Sequence, residues 1–391
     1  MRWMFASVVL SLLAVGCNSL KPPDETALAK KRWNEARASI LLTLAQDQYK
    51  GHDFDKCKET CDQALKLVPD SCPVHTQMAK VEIEQGQLEQ AERELELARK
   101  YGPKEAEPHY LSGVIYQRWQ RPQTALEFYH QAGERAPAEL PYLLAEGEML
   151  VTLGRTDDAL KILQAKVTYF ENSPTIRDAV GQILMQKGQY SDAADMFRQA
   201  SLLSEDDLSI RERLALAYHR NKQYRECAQV LGRLTEKEPY NKRADLFELL
   251  GECQTQLANA HDARNSFERA AELNPYSATA WQSFGRAALQ VGDLKRADFA
   301  LRRAIGVNDS VGETHLLMGY VRIREGKLND ALASFRKANS LSPSDTTAIC
   351  MIGYVYEKMG QTDKAMKYYA QALKVKPGDD LASQLMADIE K

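Results

Sequence analysis

The sequence has no excess of either charge. It holds 51 Lys and Arg against 54 Asp and Glu in 391 residues, a net charge of -3. A protein that binds nucleic acid normally presents a strongly basic surface, so we expect no nucleic-acid partner. The composition, 44% hydrophobic and 27% charged, is that of a folded protein rather than a disordered one.

The sequence also lacks the short motifs that carry common enzyme chemistry. It contains no GxSxG, no P-loop, no HExxH and no GxGxxG after a strand. Its seven histidines are scattered along the chain without a shared spacing. We therefore predict no catalytic activity and no cofactor.

Cysteine is scarce, with seven residues in the whole chain. Cys57, Cys61, Cys72 and His75 have helical spacings that could bring four metal ligands together, but the CxxC spacing of structural zinc sites is absent. A Cys61–Cys72 disulfide is a better alternative than a metal site. We favour neither, because cysteine is commonly a small buried core residue, and we predict no bound metal.

No hydrophobic run is long enough to span a bilayer, which takes about 20 residues. The longest runs for eleven residues, from Phe5 to Val15, after a single positive charge at Arg2. This pattern, followed by small residues, is typical of a secretory signal peptide, which we place at residues 1–16. We assign residues 17–37 to an anchor, a short tether with two prolines and a leading helix.

The end of this segment, Ala14-Val15-Gly16-Cys17, resembles a bacterial lipobox. That resemblance implies diacylation of Cys17 and cleavage before it, and hence a membrane anchor. The alternative is a plain signal peptide with an incidental cysteine. Asn18 rather than Asp follows the cysteine, which by the same resemblance indicates the periplasmic face of the outer membrane.

The rest of the chain is periodic. Near the C-terminus six residues recur 34 positions later, which gives the pairs Gly319/Gly353, Gly326/Gly360, Ala331/Ala365, Phe335/Tyr369, Ala338/Ala372 and Pro343/Pro377. Within each unit the apolar residues follow the i, i+3, i+4, i+7 spacing of two helix faces. A glycine at position 15 ends the first helix, and a proline at position 32 ends the second. Such a hairpin cannot bury its apolar face without a neighbour.

Steps of 34 residues tile the chain with ten units over residues 38–379. One step is irregular, since residues 242–243 are a two-residue insertion. The fourth and fifth units are the least typical, with Lys166 and Arg177 at apolar positions. We expect residues 380–391 to form a capping helix.

The repeat resembles the tetratricopeptide repeat (TPR) in its period and in its pattern of large, small and proline residues. This resemblance implies an all-α fold, an α-solenoid of about ten helix hairpins forming a right-handed superhelix. It also implies that positions 2, 5, 9 and 12 of the first helices line a concave groove that binds protein partners. Carried onto this chain, those positions give the groove candidates Tyr110, Glu148, Asp178, Glu212, Asp245, Glu248, Glu252, Arg286, Leu316, Tyr320 and Tyr354.

The candidates are acidic in the middle of the array and aromatic towards its end. We therefore expect a basic partner segment in the middle and apolar anchors at the C-terminal end. An extended peptide or a helix would suit such a groove. The sequence predicts a non-catalytic interaction scaffold or assembly factor for other proteins of the cell envelope. The alternative is an envelope receptor that binds a peptide or a polysaccharide in the groove.

Overall fold

The computed structural model describes residues 25–390, which form twenty-one α-helices and one short 3₁₀ turn, with no β-strand in that range. The chain divides into two compact units, one ending at Ile162 and the other beginning at Leu163. Across residues 25–390, no helix has both the length and the apolar character needed to cross a membrane. The predicted signal peptide and Cys17 lie outside the described residues.

The first compact unit is a succession of helices, and from the first to the seventh each packs against the next. Its helices, together with α8, inside which the boundary falls, are α1 (Glu25–Lys50), α2 (Phe54–Leu67), α3 (Cys72–Glu84), α4 (Leu88–Tyr101), α5 (Glu107–Arg118), α6 (Pro122–Arg135), α7 (Leu140–Thr152) and α8 (Thr156–Gln164).

The second compact unit continues the same alternation of first and second helices. Its elements are α9 (Pro174–Gln186), α10 (Tyr190–Leu203), α11 (Leu208–Arg220), α12 (Tyr224–Leu234), η1 (Tyr240–Lys242), α13 (Ala244–Gln256), α14 (Ala260–Leu273), α15 (Ala278–Gln290), α16 (Leu294–Val307), α17 (Gly312–Arg324), α18 (Leu328–Leu341), α19 (Thr346–Lys358), α20 (Thr362–Val375) and α21 (Asp380–Glu390). The all-helical repeat architecture predicted from the sequence is confirmed.

Position 15 of each repeat turns the chain between the two helices with a left-handed backbone. Gly360 has φ +71° there, and the next amide, Gln361 N–H, donates to the Tyr356 carbonyl at 2.8 Å. Such a bond satisfies a carbonyl at the end of the first helix. Six repeats have glycine at this position. The other four hold a residue with a side chain in the same conformation, namely His52, Gln120, Lys222 and Ala258.

The two helices of a repeat meet where position 8 faces position 24. A Cβ built on Gly181 would lie 2.6 Å from the Phe197 ring, and one built on Gly353 would lie 2.5 Å from the Tyr369 ring. Only glycine leaves room for a ring at this crossing. Position 20 is buried beside it in every repeat, with Ala331 fully inaccessible to solvent.

The fourth repeat departs from this regularity at its second helix. Eight second helices have fourteen residues, whereas α8 has nine and ends at Gln164. The reason lies at position 27, where most repeats bury an alanine and this one has Lys166, which cannot enter the core without losing its hydration. The chain turns from there to Ser173.

Arg177, the second atypical residue, compensates for that irregular turn. Its side chain is buried, and its guanidinium donates to the carbonyls of Phe170 at 3.3 Å and Ser173 at 3.0 Å. A third bond reaches the Gln199 side chain at 3.3 Å. The guanidinium thus satisfies carbonyls that a regular helix would have paired.

Candidate functional site

In the first compact unit, Tyr110 lies in an aromatic cluster. Its ring centroid is 4.7 Å from that of Tyr142 and 5.5 Å from that of Tyr129. Glu148, on α7, accepts a hydrogen bond from the Gln117 side-chain amide at 3.1 Å. The structure therefore places the two groove candidates of this unit on first helices, each in contact with the neighbouring repeat.

In the second compact unit, the acidic candidates Asp178, Glu212 and Asp245 each have an arginine beside them. The Arg213 guanidinium donates to Asp178 at 2.7 Å. Arg243 lies between Glu212, at 2.9 Å, and Asp245, at 2.5 Å. Asp178 and Glu212 are both partly buried, where a charge-assisted bond is stronger than at an exposed site.

Arg243 is one of the two inserted residues, so the insertion supplies the cation of this cluster. It follows the 3₁₀ turn η1 and occupies the N-cap position of α13. Its hydrogen bond holds the pKa of Asp245 below the ordinary value, against the opposing effect of burial. The irregular step in the repeat period thus supplies a positive charge between two of the acidic groove candidates.

The last two acidic candidates, on α13, differ from each other. Glu252 is exposed, and its carboxylate lies 3.3 Å from Nε2 of His219. Glu248 is partly buried and has no ion pair or hydrogen bond among the described residues. Burial, followed by repulsion from Glu252 and Asp245, raises the pKa of Glu248. The sequence predicted an acidic segment, and the structure shows carboxylates that are largely paired within the chain.

Tyr320 and Tyr354 line an open cleft of about 670 Å³ near the C-terminus, which we call the C-terminal cleft. Its walls are formed by Arg286, Leu289, Gln290, Tyr320, Ile323, Arg324, Met351, Tyr354, Leu381 and Leu385. Most of these side chains are apolar, and the two arginines are exposed. Arg286 also forms an ion pair with Glu313 at 2.5 Å. Leu316 lies outside this lining and packs against the neighbouring apolar cluster.

The α21 helix occupies the segment predicted to cap the array. It packs against α19 and α20, as a capping helix should. Leu381 and Leu385 of the same helix also face the C-terminal cleft opposite the two tyrosines. The sequence predicted the cap but not this second role, because an amphipathic pattern shows that one face is buried without showing what else that face borders.

Sequence reasoning also missed the partners of these carboxylates, Arg213, Arg243 and His219. A signal was available, since each lies 31 to 35 residues from its carboxylate partner. In a 34-residue repeat such a separation places two side chains on neighbouring first helices. A search for an arginine or histidine about one period from a carboxylate would have found all three pairs.

The cysteine cluster considered from the sequence contains no disulfide. Cys61 and Cys72 are both buried free thiols, and the described residues contain no group of side chains placed to hold a metal ion. Cys57 donates a hydrogen bond to the Ala45 carbonyl at 3.1 Å, and His75 contacts Glu94 and the Pro69 carbonyl. Burial raises the pKa of Cys61, so its thiol stays protonated. The disulfide alternative is therefore wrong in this structure.

Comparison with known families gives a match over about half of the chain. The sequence profile of the tetratricopeptide repeat matches residues 49–115, 184–248 and 322–389. A curated relative, the BBSome complex member BBS4 of Bos taurus, is 24% identical over 221 residues, which is 56% of this chain and 42% of the bovine protein. The chain thus spans about two fifths of the length of that relative.

Solved structures with a similar course of the backbone include MamA and the Cut9–Hcn1 hetero-tetramer of APC/C. MamA is 23% identical over 43% of this chain and 91% of its own, with a TM-score of 0.41. The Cut9–Hcn1 structure is 13% identical over 94% of this chain and 99% of its own, also with a TM-score of 0.41. The family assignment comes from the sequence profile.

Proposed function

Because the chain belongs to the tetratricopeptide repeat family, whose members are generally non-catalytic scaffolds that bind other proteins, we propose that it is an exported scaffold of the bacterial envelope. In this proposal a lipid on Cys17 anchors it to the periplasmic face of the outer membrane. The groove formed by the first helices then holds a segment of an envelope protein during the assembly of a larger complex.

The observation that carries the proposal is the C-terminal cleft. It combines Tyr320, Tyr354 and several aliphatic side chains with two exposed arginines. Arg286 is paired with Glu313 and Arg324 donates to the Leu289 carbonyl, so each has only its remaining N–H groups to offer a partner. Partly exposed aromatic rings are effective anchors at protein interfaces. An amphipathic helix with acidic residues beside its apolar face fits such a cleft, and we propose a segment of this chemistry as the ligand.

The ion pairs of the preceding repeats refine the expected partner. Because Asp178, Glu212 and Asp245 are paired with arginines of the chain itself, a basic partner segment would have to displace those arginines. Among the described acidic candidates of the second compact unit, Glu248 and Glu252 have carboxylates that no arginine holds. We therefore propose that the cleft supplies most of the affinity, and that Glu248 and Glu252 contribute mainly to the association rate.

The test removes the aromatic anchors and compares the partners captured in cells. We expect Tyr320→Ala with Tyr354→Ala to abolish crosslinking to the proteins captured by the unmodified chain. The matched control is Tyr276→Ala with Phe299→Ala, which removes two exposed rings outside the cleft. Capture that survives the first double substitution, or is lost equally in the control, would rule out the cleft. Capture of a polysaccharide with no protein partner would favour the receptor function instead.

The anchor is tested separately. If Cys17 carries lipid, Cys17→Ala should move the chain from the membrane fraction to the soluble periplasmic fraction. The mass of the N-terminal peptide should fall by that of the acyl groups. An unmodified Cys17 thiol in the wild-type chain would contradict the proposed anchor while leaving the groove proposal intact.

A further inference from the structure

The N-terminal helix α1 has one face that no other described residue of its compact unit covers. Trp33 is 68% exposed, Ile40 71% and Leu44 48%. Together with Lys30 and Arg37 they have the spacing 30, 33, 37, 40, 44, which places all five on one face of the helix. We call this set the α1 stripe. An adjacent face of α1 is buried against α2 through Ala38 and Ala45.

The repeat pattern explains why this face is open. Ile40 and Leu44 are positions 3 and 7 of the first unit. In the second unit the same positions are Val74 and Met78, which are 1% and 3% exposed. Each later unit has a preceding hairpin to pack against, whereas α1 has none among the described residues. The α1 stripe also extends beyond the unit to Trp33, so it is longer than the face a single hairpin would cover.

We propose that the α1 stripe lies on a phospholipid surface containing anionic headgroups; this inference rests on the proposed lipid anchor at Cys17. Seven residues separate Cys17 from Glu25. The backbone between them spans at most about 28 Å at full extension. A lipid on Cys17 therefore holds α1 within reach of the bilayer surface.

The chemistry of the stripe favours lipid over a second copy of the chain. Two of its five residues are cations, and residues 25–40 contain four basic side chains against two acidic ones. In a symmetric helix pair, Lys30 and Arg37 would lie in the apolar seam, where cations are costly. On a membrane their long side chains reach the headgroup phosphates while Trp33 sits at the interface.

The experiment supplies the tether chemically, so that it does not depend on natural lipidation. The mature chain beginning at Cys17 is coupled through that thiol to maleimide lipid in vesicles of phosphatidylethanolamine and phosphatidylglycerol. The other six cysteines are buried and free. Quenching by brominated acyl chains then reports insertion, and Trp33→Phe isolates the signal of Trp33 from that of Trp119 and Trp281.

We expect Trp33 to be quenched in the coupled chain. Ile40→Ser with Leu44→Ser should reduce the equilibrium constant for insertion of the α1 stripe into the bilayer about tenfold or more, since each side chain loses its apolar contact with lipid. The matched control, Leu202→Ser with Phe299→Ser, removes exposed apolar side chains elsewhere and should leave quenching unchanged. Lys30→Ala with Arg37→Ala should weaken association only when phosphatidylglycerol is present.

Two results would overturn the inference. The first is an unquenched Trp33 in the coupled chain whose helical content is intact by circular dichroism. The second is a lipid-free dimer, seen by analytical ultracentrifugation, that Ile40→Ser with Leu44→Ser dissociates, because it would assign the α1 stripe to a second copy. Neither result depends on whether cells acylate Cys17, which the fractionation of Cys17→Ala decides.

Discussion

Two histidines occupy the same position of neighbouring repeats and have opposite environments. His75, at position 4 of the second unit, contacts Glu94 at 2.7 Å and the Pro69 carbonyl at 2.9 Å. His109, at position 4 of the third unit, is 6% exposed, and neither ring nitrogen makes a hydrogen bond of normal length and angle among the described residues, with only a weak interaction from the Gln131 side chain. The equivalent carbonyl, that of Pro103, is taken by Arg135 at 3.0 Å.

We expect His109→Leu to stabilise the protein by about 1–3 kcal/mol, the usual cost of an unsatisfied buried polar group. Leucine already occupies position 4 in other repeats, at Leu41 and Leu143, so the site accepts it. The matched control is His75→Leu, which should destabilise because it removes two hydrogen bonds and strands Glu94. Urea unfolding of both variants measures the difference. A loss of stability in His109→Leu as large as that in His75→Leu would contradict the interpretation.

The two histidines also predict opposite dependences on pH. Burial, reinforced by Arg135 and Arg99, lowers the pKa of His109 to about 4. In the unfolded chain the pKa is about 6.5, so the unfolded state binds the proton more readily than the folded state. The free energy of unfolding therefore decreases as pH falls from about 6.5 to about 4. The pKa of His75 is raised, because the bonds to Glu94 and Pro69 outweigh burial. Its contribution is lost as pH rises. The gain from His109→Leu should therefore grow as pH falls below about 6.5, and a gain independent of pH would argue against this account.

Ala258 carries backbone strain that the sequence does not reveal. Its φ is +57° at position 15, where most repeats have glycine. An L-residue with a Cβ pays about 1–2 kcal/mol for this conformation. We expect Ala258→Gly to raise the free energy of unfolding by up to about 1 kcal/mol, after the extra freedom that glycine gives the unfolded chain. In the control Ala333→Gly, at an exposed site inside α18, the same change should cost about 1 kcal/mol.

At the scale of a single hairpin, residue sizes at positions 8 and 24 are matched. The aromatic residues at position 24 face glycine, as in Gly181 with Phe197 and Gly353 with Tyr369. Where position 8 is alanine, position 24 is smaller, as in Ala215 with Leu231, both fully buried. A larger residue at position 8 is matched by a smaller one at position 24, so the two helices keep the same separation.

This matching predicts a rescue. Gly181→Ala should cost about 1–3 kcal/mol, because its Cβ would lie 2.6 Å from the Phe197 ring. Phe197→Leu alone should also destabilise, because it leaves a cavity. The double substitution recreates the Ala215/Leu231 pair and should be more stable than the sum of the single changes by about 1 kcal/mol or more in a double-mutant cycle. Additive effects would show that the helices move apart instead.

The hairpins were predictable because the residues that determine each hairpin lie close together in the sequence. Helix faces, the turn at Gly360 and the close contact at Ala331 all follow from residues within one unit. The shortening of α8 was only half visible, since Lys166 indicated poor packing but not where the helix would end. Arg177 occupies a position that is usually apolar, and the sequence did not show what its charge would bind. Its role becomes clear only when the carbonyls of the irregular turn are known.

Across the whole molecule, the candidate site was less predictable than the fold. Position within the repeat identified Asp178, Glu212 and Tyr320 as groove candidates, but their neighbours belong to other repeats. Whether a carboxylate is paired depends on the register between hairpins, and one insertion at residues 242–243 changes it. Reading each repeat by itself left out partners one period away, such as Arg213 for Asp178, so the sequence suggested an acidic surface where the structure has ion pairs.

The central claim is that the groove, and above all the C-terminal cleft, holds a partner protein. The most direct measurement places a photo-crosslinking amino acid at Tyr320 or Tyr354 in living cells, with Tyr276 and Phe299 as control sites outside the cleft. We predict one set of envelope proteins crosslinked from both cleft sites and from neither control. Partners captured from Tyr276 or Phe299 but not from the cleft would contradict the claim.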